Sequence, residues 1–408
     1  MLADNFASIS FVWLLLESGG GAVATSILFF VTLIPEMLLG LFVSPLLARG
    51  RLNVWMFGSD AVRALIMLVI PLCYYYDFLP IWLFFVAGFI QSACGSVYNP
   101  ASVALLPRLV ERSHVQKANA FMASANQVVF LVGLAGAGVL VNWLSSVTTM
   151  VVTSGVFLIS GLLLLFLRPN KVEAPTPTES VEQIEQEEEE KLTFSEKIKS
   201  YWKEVLSGFT ILRKHKTIFA INVYATFLNF GMAPFLALLA VYVTEELQGD
   251  AGTLSLLRGS LMVGALLMGI VLSKLKIKRY FALFIFAGLC QGLALTVFEF
   301  SSLIWVIVLC CAIIGMVETA VNVPEMVLIQ TTVPPNEQPA IYAAGTALAT
   351  SCLPIAALIV GPLAEAYGVG TIIACGGVLI IGTGILVRLF LPVDKTTAAD
   401  ANGQSTSS

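Results

Sequence analysis

The chain has 408 residues, 58% of them hydrophobic and 12% charged, with a mean hydropathy of +0.89 and a formal net charge of −4. That composition excludes a soluble globular domain and describes a polytopic membrane protein. The negative charge comes largely from one glutamate-rich segment and says little about a ligand.

Taken in order, the apolar runs near the ~20 residues needed to cross a bilayer fall at 2–16, 22–47, 54–75, 79–105, 118–143, 147–167, 217–243, 252–273, 279–298, 302–329, 340–364 and 369–391. They predict an all-α membrane protein with twelve transmembrane helices. The first run is short: Leu2 to Leu16 covers only ~22 Å as a helix, and Asp4-Asn5 shortens its apolar part further. No basic stub precedes it and no signal-peptide pattern is present, so the expectation is a shortened first helix or a misplaced start.

Between the sixth and seventh runs lies the long polar stretch Arg168 to Lys216. It opens with the Pro/Thr-rich run Ala174 to Thr178 and continues into a glutamate block ending in Glu187 to Glu190, a composition that stays solvated. From Lys191 the pattern changes. Phe194, Ile198, Tyr201, Trp202, Val205, Phe209 and Leu212 recur at helical spacing among lysines and arginines, which predicts an amphipathic helix on the membrane surface leading into the next span. The predicted organisation is thus a six-helix bundle over 1–167, a cytoplasmic linker over 168–216, a second six-helix bundle over 217–392 and a disordered tail over 393–408.

Of the 22 lysines and arginines, all but Arg63 and Arg258 fall in alternate loops or at the helix ends that face them. The intervening loops, such as Glu17 to Gly21 and Thr244 to Gly252, carry none. The positive-inside rule then puts the basic loops, the linker and both termini in the cytoplasm of a cell-membrane protein.

The seven cysteines sit inside apolar runs without a CxxC pair and read as small core residues. His114 and His215 lie in basic loops, so neither a metal site nor a cofactor is expected. No Gly-x-x-x-x-Gly-Lys-Ser/Thr loop is present, and no span carries His-Glu-x-x-His or Gly-x-Ser-x-Gly. ATP is therefore not the direct drive, and no enzyme activity is expected.

Charges inside spans cost a few kcal/mol and mark candidate functional residues. Glu36 stands beside Pro35 near the middle of the second run, where an acid can carry a coupling proton, contact substrate or simply hydrogen-bond the bundle. Glu318, Asn322 and Glu325 are spaced i, i+4 and i+7, one face of the tenth helix, which reads as cavity-lining for Glu318 near mid-membrane, whereas Glu325 stands close to the cytoplasmic end, where it either lines the cavity or simply faces water. Arg258 can neutralise an acid such as Glu318, bind an anionic group or snorkel outward. Asp60 and Arg63 form an i, i+3 pair toward the cytoplasmic end of the third span, and Asp4 and Asn99 complete the candidates. Gly133/Gly136 and Gly264/Gly269 are expected to let helices pack closely.

The halves repeat each other weakly: Gly40 to Ser44 and Gly269 to Ser273 each end a span before a basic loop, and Asn99-Pro100 matches Asn322 with Pro324. More specific features are Asp4-Asn5-Phe6, Pro35 to Pro45, Asp60-Ala-Val-Arg63, Asn99-Pro100-Ala101 through Pro107, Ala118-Asn119-Ala120, Trp202 to His215, Gly264 to Gly269 and Gln330 to Pro334. On these the chain resembles the major facilitator superfamily, nearest the branch of macrolide-efflux proteins and the enterobactin exporter.

The resemblance implies two pseudo-symmetric six-helix bundles working by alternating access. It also makes the loop after the second span, with Arg49 and Arg51, and the neighbouring Asp60 and Arg63 candidates for gating. The chain departs from the family where Ser44 replaces the loop glycine, Ala48 stands at the acid, and Pro334 to Pro339 lacks arginine.

The function implied is proton-coupled efflux of an amphipathic small molecule such as a drug, macrolide or siderophore. The alternatives are transport of a lysophospholipid or other lipid-like compound, and a non-transporting sensor on the same fold. The expected partners are the substrate, protons and the lipid bilayer, with no nucleic acid, and fold-level analogy expects a monomer.

Overall fold

The protein, in a computed structural model, is described over residues 1–39, 51–111, 114–167, 208–275, 277, 279–335 and 337–390. Within these it is helical throughout, without strands. The helices are α1 (Leu2–Glu17), α2 (Ala22–Leu39), α3 (Leu52–Tyr75), α4 (Ile81–Leu109), α5 (Val115–Leu144), α6 (Ser146–Leu165), α7 (Lys216–Glu245), α8 (Ala251–Lys274), α9 (Tyr280–Phe300), α10 (Ile304–Thr332), α11 (Gln338–Thr350), α12 (Leu353–Tyr367) and α13 (Val369–Phe390).

Among the described residues, ten helical segments are long and apolar enough to cross a membrane: α3 to α10, the α11–α12 tandem and α13. The predicted count of twelve is therefore met in part. The first two predicted positions hold shorter helices, 16 residues in α1 and 18 in α2. Residues 40–47, predicted to complete the second span, lie outside the described residues, as do Arg49, most of the 168–216 linker and the C-terminal tail from 391.

The helices are apolar around most of their circumference because in lipid each backbone polar group has to be satisfied within its own segment. Their ends are closed locally. Before α8, the Thr253 N–H and hydroxyl both donate to Asp250 Oδ1, at 2.8 and 2.9 Å, and the Asp250 N–H returns a bond to Thr253 Oγ1, a reciprocal cap.

Burial pushes the Asp250 carboxyl up, but the bonds from Thr253, with the one from Asn142 Nδ2 at 2.6 Å, outweigh it and hold the group below the ordinary Asp range. A lowered folded-state value contributes stability above the unfolded value, and that stability is lost as pH falls through the folded one. Asp250→Ala is expected to cost about 1 kcal/mol at neutral pH. Melts of wild type and variant, followed down through the carboxylate range, should converge; a constant gap at all pH would refute the cap.

Two compact units emerge. The first comprises Met1–Gly20, Ile27–Tyr201 and Asp250–Ser255, and the second Gly21–Ser26, Trp202–Gly249 and Leu256–Ser408. In the first unit α1 lies against α5 and α6, while α3 lies against α4 and α6. Ile9, Leu14 and Leu15 of α1 are fully buried, and Phe11 meets Phe84 of α4 edge-on at 5.4 Å. Gly133 and Gly136 of α5 leave room for α1, since a Cβ on Gly133 would stand 2.9 Å from Asn5 Nδ2 and one on Gly136 3.4 Å from the Phe6 ring. Gly269, expected to pack closely, faces open space.

In the second unit α7 is the most deeply packed span, bordered by α11, α12 and α13. Tyr242 ties it to α9 by donating to the Phe298 carbonyl at 2.8 Å. The eleventh predicted span is two helices. Pro354 has no N–H to continue the ladder, so α11 ends at Thr350 and α12 begins at Leu353.

Candidate functional site

Among the described residues, the buried charged groups of the first unit lie on α3. Asp60 and Arg63 lie in the N-terminal half of that helix, and both are buried, 2% and 5% exposed. Three residues apart on a helix, they share a face. The Arg63 guanidinium lies 3.2 Å from Asp4 Oδ1 on α1 and 3.9 Å from Asp60 Oδ1, while the Ser160 hydroxyl on α6 donates to Asp60 Oδ2 at 2.8 Å.

The rings of Tyr98 and Phe157 each stand 5.5 Å from the guanidinium carbon, a cation–π geometry. Gly95 makes room, because a Cβ there would stand 2.8 Å from Arg63 Nη2. Asp4, Asp60, Arg63, Tyr98 and Ser160 border a cavity of about 150 Å³. Such a volume takes one ring-sized group or a few waters, well below the ~300 Å³ at which drug-sized pockets begin.

In the second unit the polar groups follow two helix faces. Glu318 and Asn322 of α10 are exposed, whereas Glu325 on the same face is half-buried and accepts from Asn222 Nδ2 at 2.9 Å. Asn222, 3% exposed, belongs to α7 and was not among the residues picked out from the sequence. Thr226 and Asn229 continue its face at i+4 and i+7. The single Thr226 hydroxyl hydrogen is shared between the Asn222 carbonyl at 3.0 Å and the Leu348 carbonyl at 3.1 Å, and Asn229 Nδ2 donates to the Ala349 carbonyl at 3.1 Å. The Leu348 and Ala349 carbonyls belong to the last turn of α11, whose backbone bonds end there, and the Leu348 carbonyl also accepts from the Ser351 hydroxyl at the helix's own C-cap at 2.8 Å. The signal was present in the sequence, since the spacing is the one that exposed Glu318, Asn322 and Glu325, but without a charge it drew no notice.

The remaining predicted residues are dispersed. Glu36 is exposed toward the C-terminal end of the described part of α2 and Arg258 is half-buried in α8. Asn99 is exposed on α4, and Arg51 is exposed at the start of α3. The structure thus brings together Asp4, Asp60 and Arg63 in one unit and pairs Glu325 with Asn222 in the other.

The sequence matches the Major Facilitator Superfamily over residues 1–357. It is 36% identical over 397 residues to the uncharacterized MFS-type transporter YvqJ of Bacillus subtilis, covering 97% of this chain and 91% of that one. Similarity at 22% identity to macrolide efflux protein A of Streptococcus pyogenes spans 97% and 94% of the two chains. At 25% identity, the multidrug efflux pump Tap of Mycobacterium tuberculosis aligns over 95% and 90%.

Among solved structures, the nucleoside transporter NupG superposes with a TM-score of 0.69 at 10% identity, over 95% of this chain and 99% of its own. A bacterial homologue of the lysosomal transporter Spinster gives 0.61 at 10% identity, over 95% and 92%. The chain belongs to the Major Facilitator Superfamily and is a multi-pass membrane transporter of that family.

Proposed function

We propose that the protein is a proton-coupled exporter of amphipathic small molecules, placed in the cell membrane with both termini cytoplasmic and acting as a monomer. The observation that carries this reading is the end-to-end similarity to macrolide efflux protein A and the multidrug efflux pump Tap. Both are named for expelling drugs. In this reading residues 1–167 and 217–392 are the two rocking bundles joined by the 168–216 linker, and Arg49, Arg51, Asp60 and Arg63 serve gating. Glu36, Glu318 and Glu325 are the carboxylates available to carry a proton through the bilayer, with Arg258, Asn322, Asn99 and Asp4 as further polar contacts along the path. Support for orientation comes from the alternation of basic and uncharged loops.

The test uses everted membrane vesicles energised with a proton gradient and followed with a pH-sensitive dye. Erythromycin, a siderophore, a cationic dye and a lysolipid are added in turn. Erythromycin or the cationic dye is expected to dissipate the gradient only in vesicles that contain the protein. If none of the four moves the dye although the protein is inserted and monodisperse on extraction, the reading fails. A response to the lysolipid alone would move the assignment to a lipid carrier.

A further inference from the structure

We propose that the groove between α9 and α13, on the side turned away from α7, binds an anionic phospholipid whose headgroup phosphate is held by Arg279 and Arg388. The lipid is a resident partner of this face and not a transported compound, so the site does not depend on the export reading.

The register of the two helices brings the arginines together. A Cβ on Gly370 of α13 would stand 3.6 Å from the Glu299 Cα of α9, and one on Gly292 would stand 2.7 Å from the Gly377 carbonyl. Seven residues along α13 are thus matched by seven back along α9, and the two run antiparallel in step. Carried thirteen residues beyond Gly292, Arg279 comes level with position 390, two residues and about 3 Å along the axis from Arg388. Arg279 directly precedes α9 and Arg388 lies in the last turn of α13, and both are exposed. Arg388 also follows Gly377 and Ile381 at i+11 and i+7, in the row that α13 turns to α9.

The apolar parts of both helices complete the groove. Gly288 of α9 and Gly376 of α13 lie against Tyr224 and Gly231 of α7, so each helix turns its opposite side outward. There Phe286 and Leu293 of α9 are exposed seven residues apart, and Val378, Ile385 and Leu389 of α13 at i, i+7 and i+11. In a bilayer such rows meet acyl chains. Gly382 belongs to the same row of α13, within one residue of the level of Phe286, and a Cβ there would have nothing within 4 Å. It leaves a notch beside Phe286 along which a chain can lie.

Charge decides the occupant. Neither arginine forms an ion pair with another described residue. No acid occurs in α13, and the one acid of α9, Glu299, is twenty residues from Arg279 at the far end. The stretch from Lys274 to Arg279 holds four cations and no carboxylate in six residues. A guanidinium presents a planar fork of donors that matches two phosphate oxygens, and two forks at one level close on a phosphodiester. A zwitterionic headgroup brings its own ammonium to this place and meets a repulsion that an anionic one does not. Arginines that merely snorkel to the interface need neither a common level nor a groove.

The test is native mass spectrometry of the purified full chain, titrated in detergent with phosphatidylglycerol or phosphatidylcholine of the same acyl chains. Wild type should retain phosphatidylglycerol about thirtyfold better. Arg279→Gln and Arg388→Gln should each lower that preference about fivefold, and the double variant should abolish it. Arg213→Gln, which removes an exposed cation elsewhere on the same unit, should leave it unchanged. Arg279→Lys/Arg388→Lys keeps both charges without the forks and should fall between wild type and the double glutamine variant. All three positions are exposed, so every variant should melt close to wild type, which a thermal scan checks.

Glycerol 3-phosphate at the same concentration should not displace the lipid, because it has nothing for the apolar rows to hold. Equal retention of the two lipids by wild type, or as large a loss in Arg213→Gln as in the double variant, would leave only diffuse charge and overturn the site. Displacement by glycerol 3-phosphate would make it a site for a soluble anion. A second copy of the chain, retained by wild type and released by the double variant, would make the groove an interface between copies. Either result also overturns the proposal.

Discussion

Arg63→Gln is expected to remove most of the folded protein, with a loss of about 3–5 kcal/mol and a melting temperature lowered by roughly 10 °C. The reason is the company Arg63 keeps. Asp60 is 2% exposed, bonded otherwise, among the described residues, only to the Ser160 hydroxyl, and one helical turn from the guanidinium. Removing the cation leaves a buried carboxylate uncompensated, which costs far more than the ion pair itself contributes.

The double variant Asp60→Asn/Arg63→Gln removes both charges and should recover most of the loss. The two single effects would then add to much more than the double one, the signature of residues that act as a unit. The measurement is thermal melting in detergent with size-exclusion profiles for all four proteins. An Arg63→Gln protein that melts within a degree or so of wild type would show that the cluster is wetter than its burial indicates. Asp4, half exposed, should matter less for stability than Asp60, because water can solvate it when Arg63 is gone.

How much of this was legible in the sequence depends on whether a feature is local. Helix positions came through because a bilayer demands long apolar runs and lysine and arginine mark the loops. The i, i+3 pairing of Asp60 with Arg63 was visible for the same reason. Its third member was not: Asp4 is 59 residues away from Arg63 in the chain, and only the packing of α1 brings the two together.

Glu36 drew attention because the apolar run continues to residue 47, which made it look central; it is exposed, and residues 40–47 lie outside the described residues. The break in the eleventh span was readable in principle, since Pro354 disfavours helix in the residue before it. A run apolar on both sides of the proline masked it. The polar face of α7 went unread because Asn222, Thr226 and Asn229 carry no charge, although inside a bilayer such side chains bond across helices.

Gly376→Val should be as damaging as the loss of Arg63, for a different reason. Successive residues of a helix point about 100° apart, so the adjacent glycines of α13 face two neighbours at once. Gly376 meets the Gly231 carbonyl of α7 and Gly377 meets the Gly292 carbonyl of α9. The contacts are reciprocal: a Cβ on Gly231 would stand 2.6 Å from the Gly376 carbonyl, and one on Gly292 would stand 2.7 Å from that of Gly377. Here three backbones touch with no side chain between them, the arrangement small residues permit in a bilayer.

An added side chain can be accommodated only by moving a backbone, and overpacking of this kind costs about 1–3 kcal/mol even where side chains can yield. Valine at position 376 is expected to reach or exceed that upper figure, and Gly377→Val to behave alike. Gly382→Val, on the same helix but with open space where its Cβ would go, should melt as wild type does. Equal melting of the variants at positions 376 and 382 would sink the argument. Gly231 lies nine residues beyond Asn222 on α7, half a turn around the helix, so α13 backs α7 on the side opposite Asn222. The glycine contact that sets how tightly the second unit packs therefore also fixes how far the Asn222 face reaches toward Glu325 and the broken span.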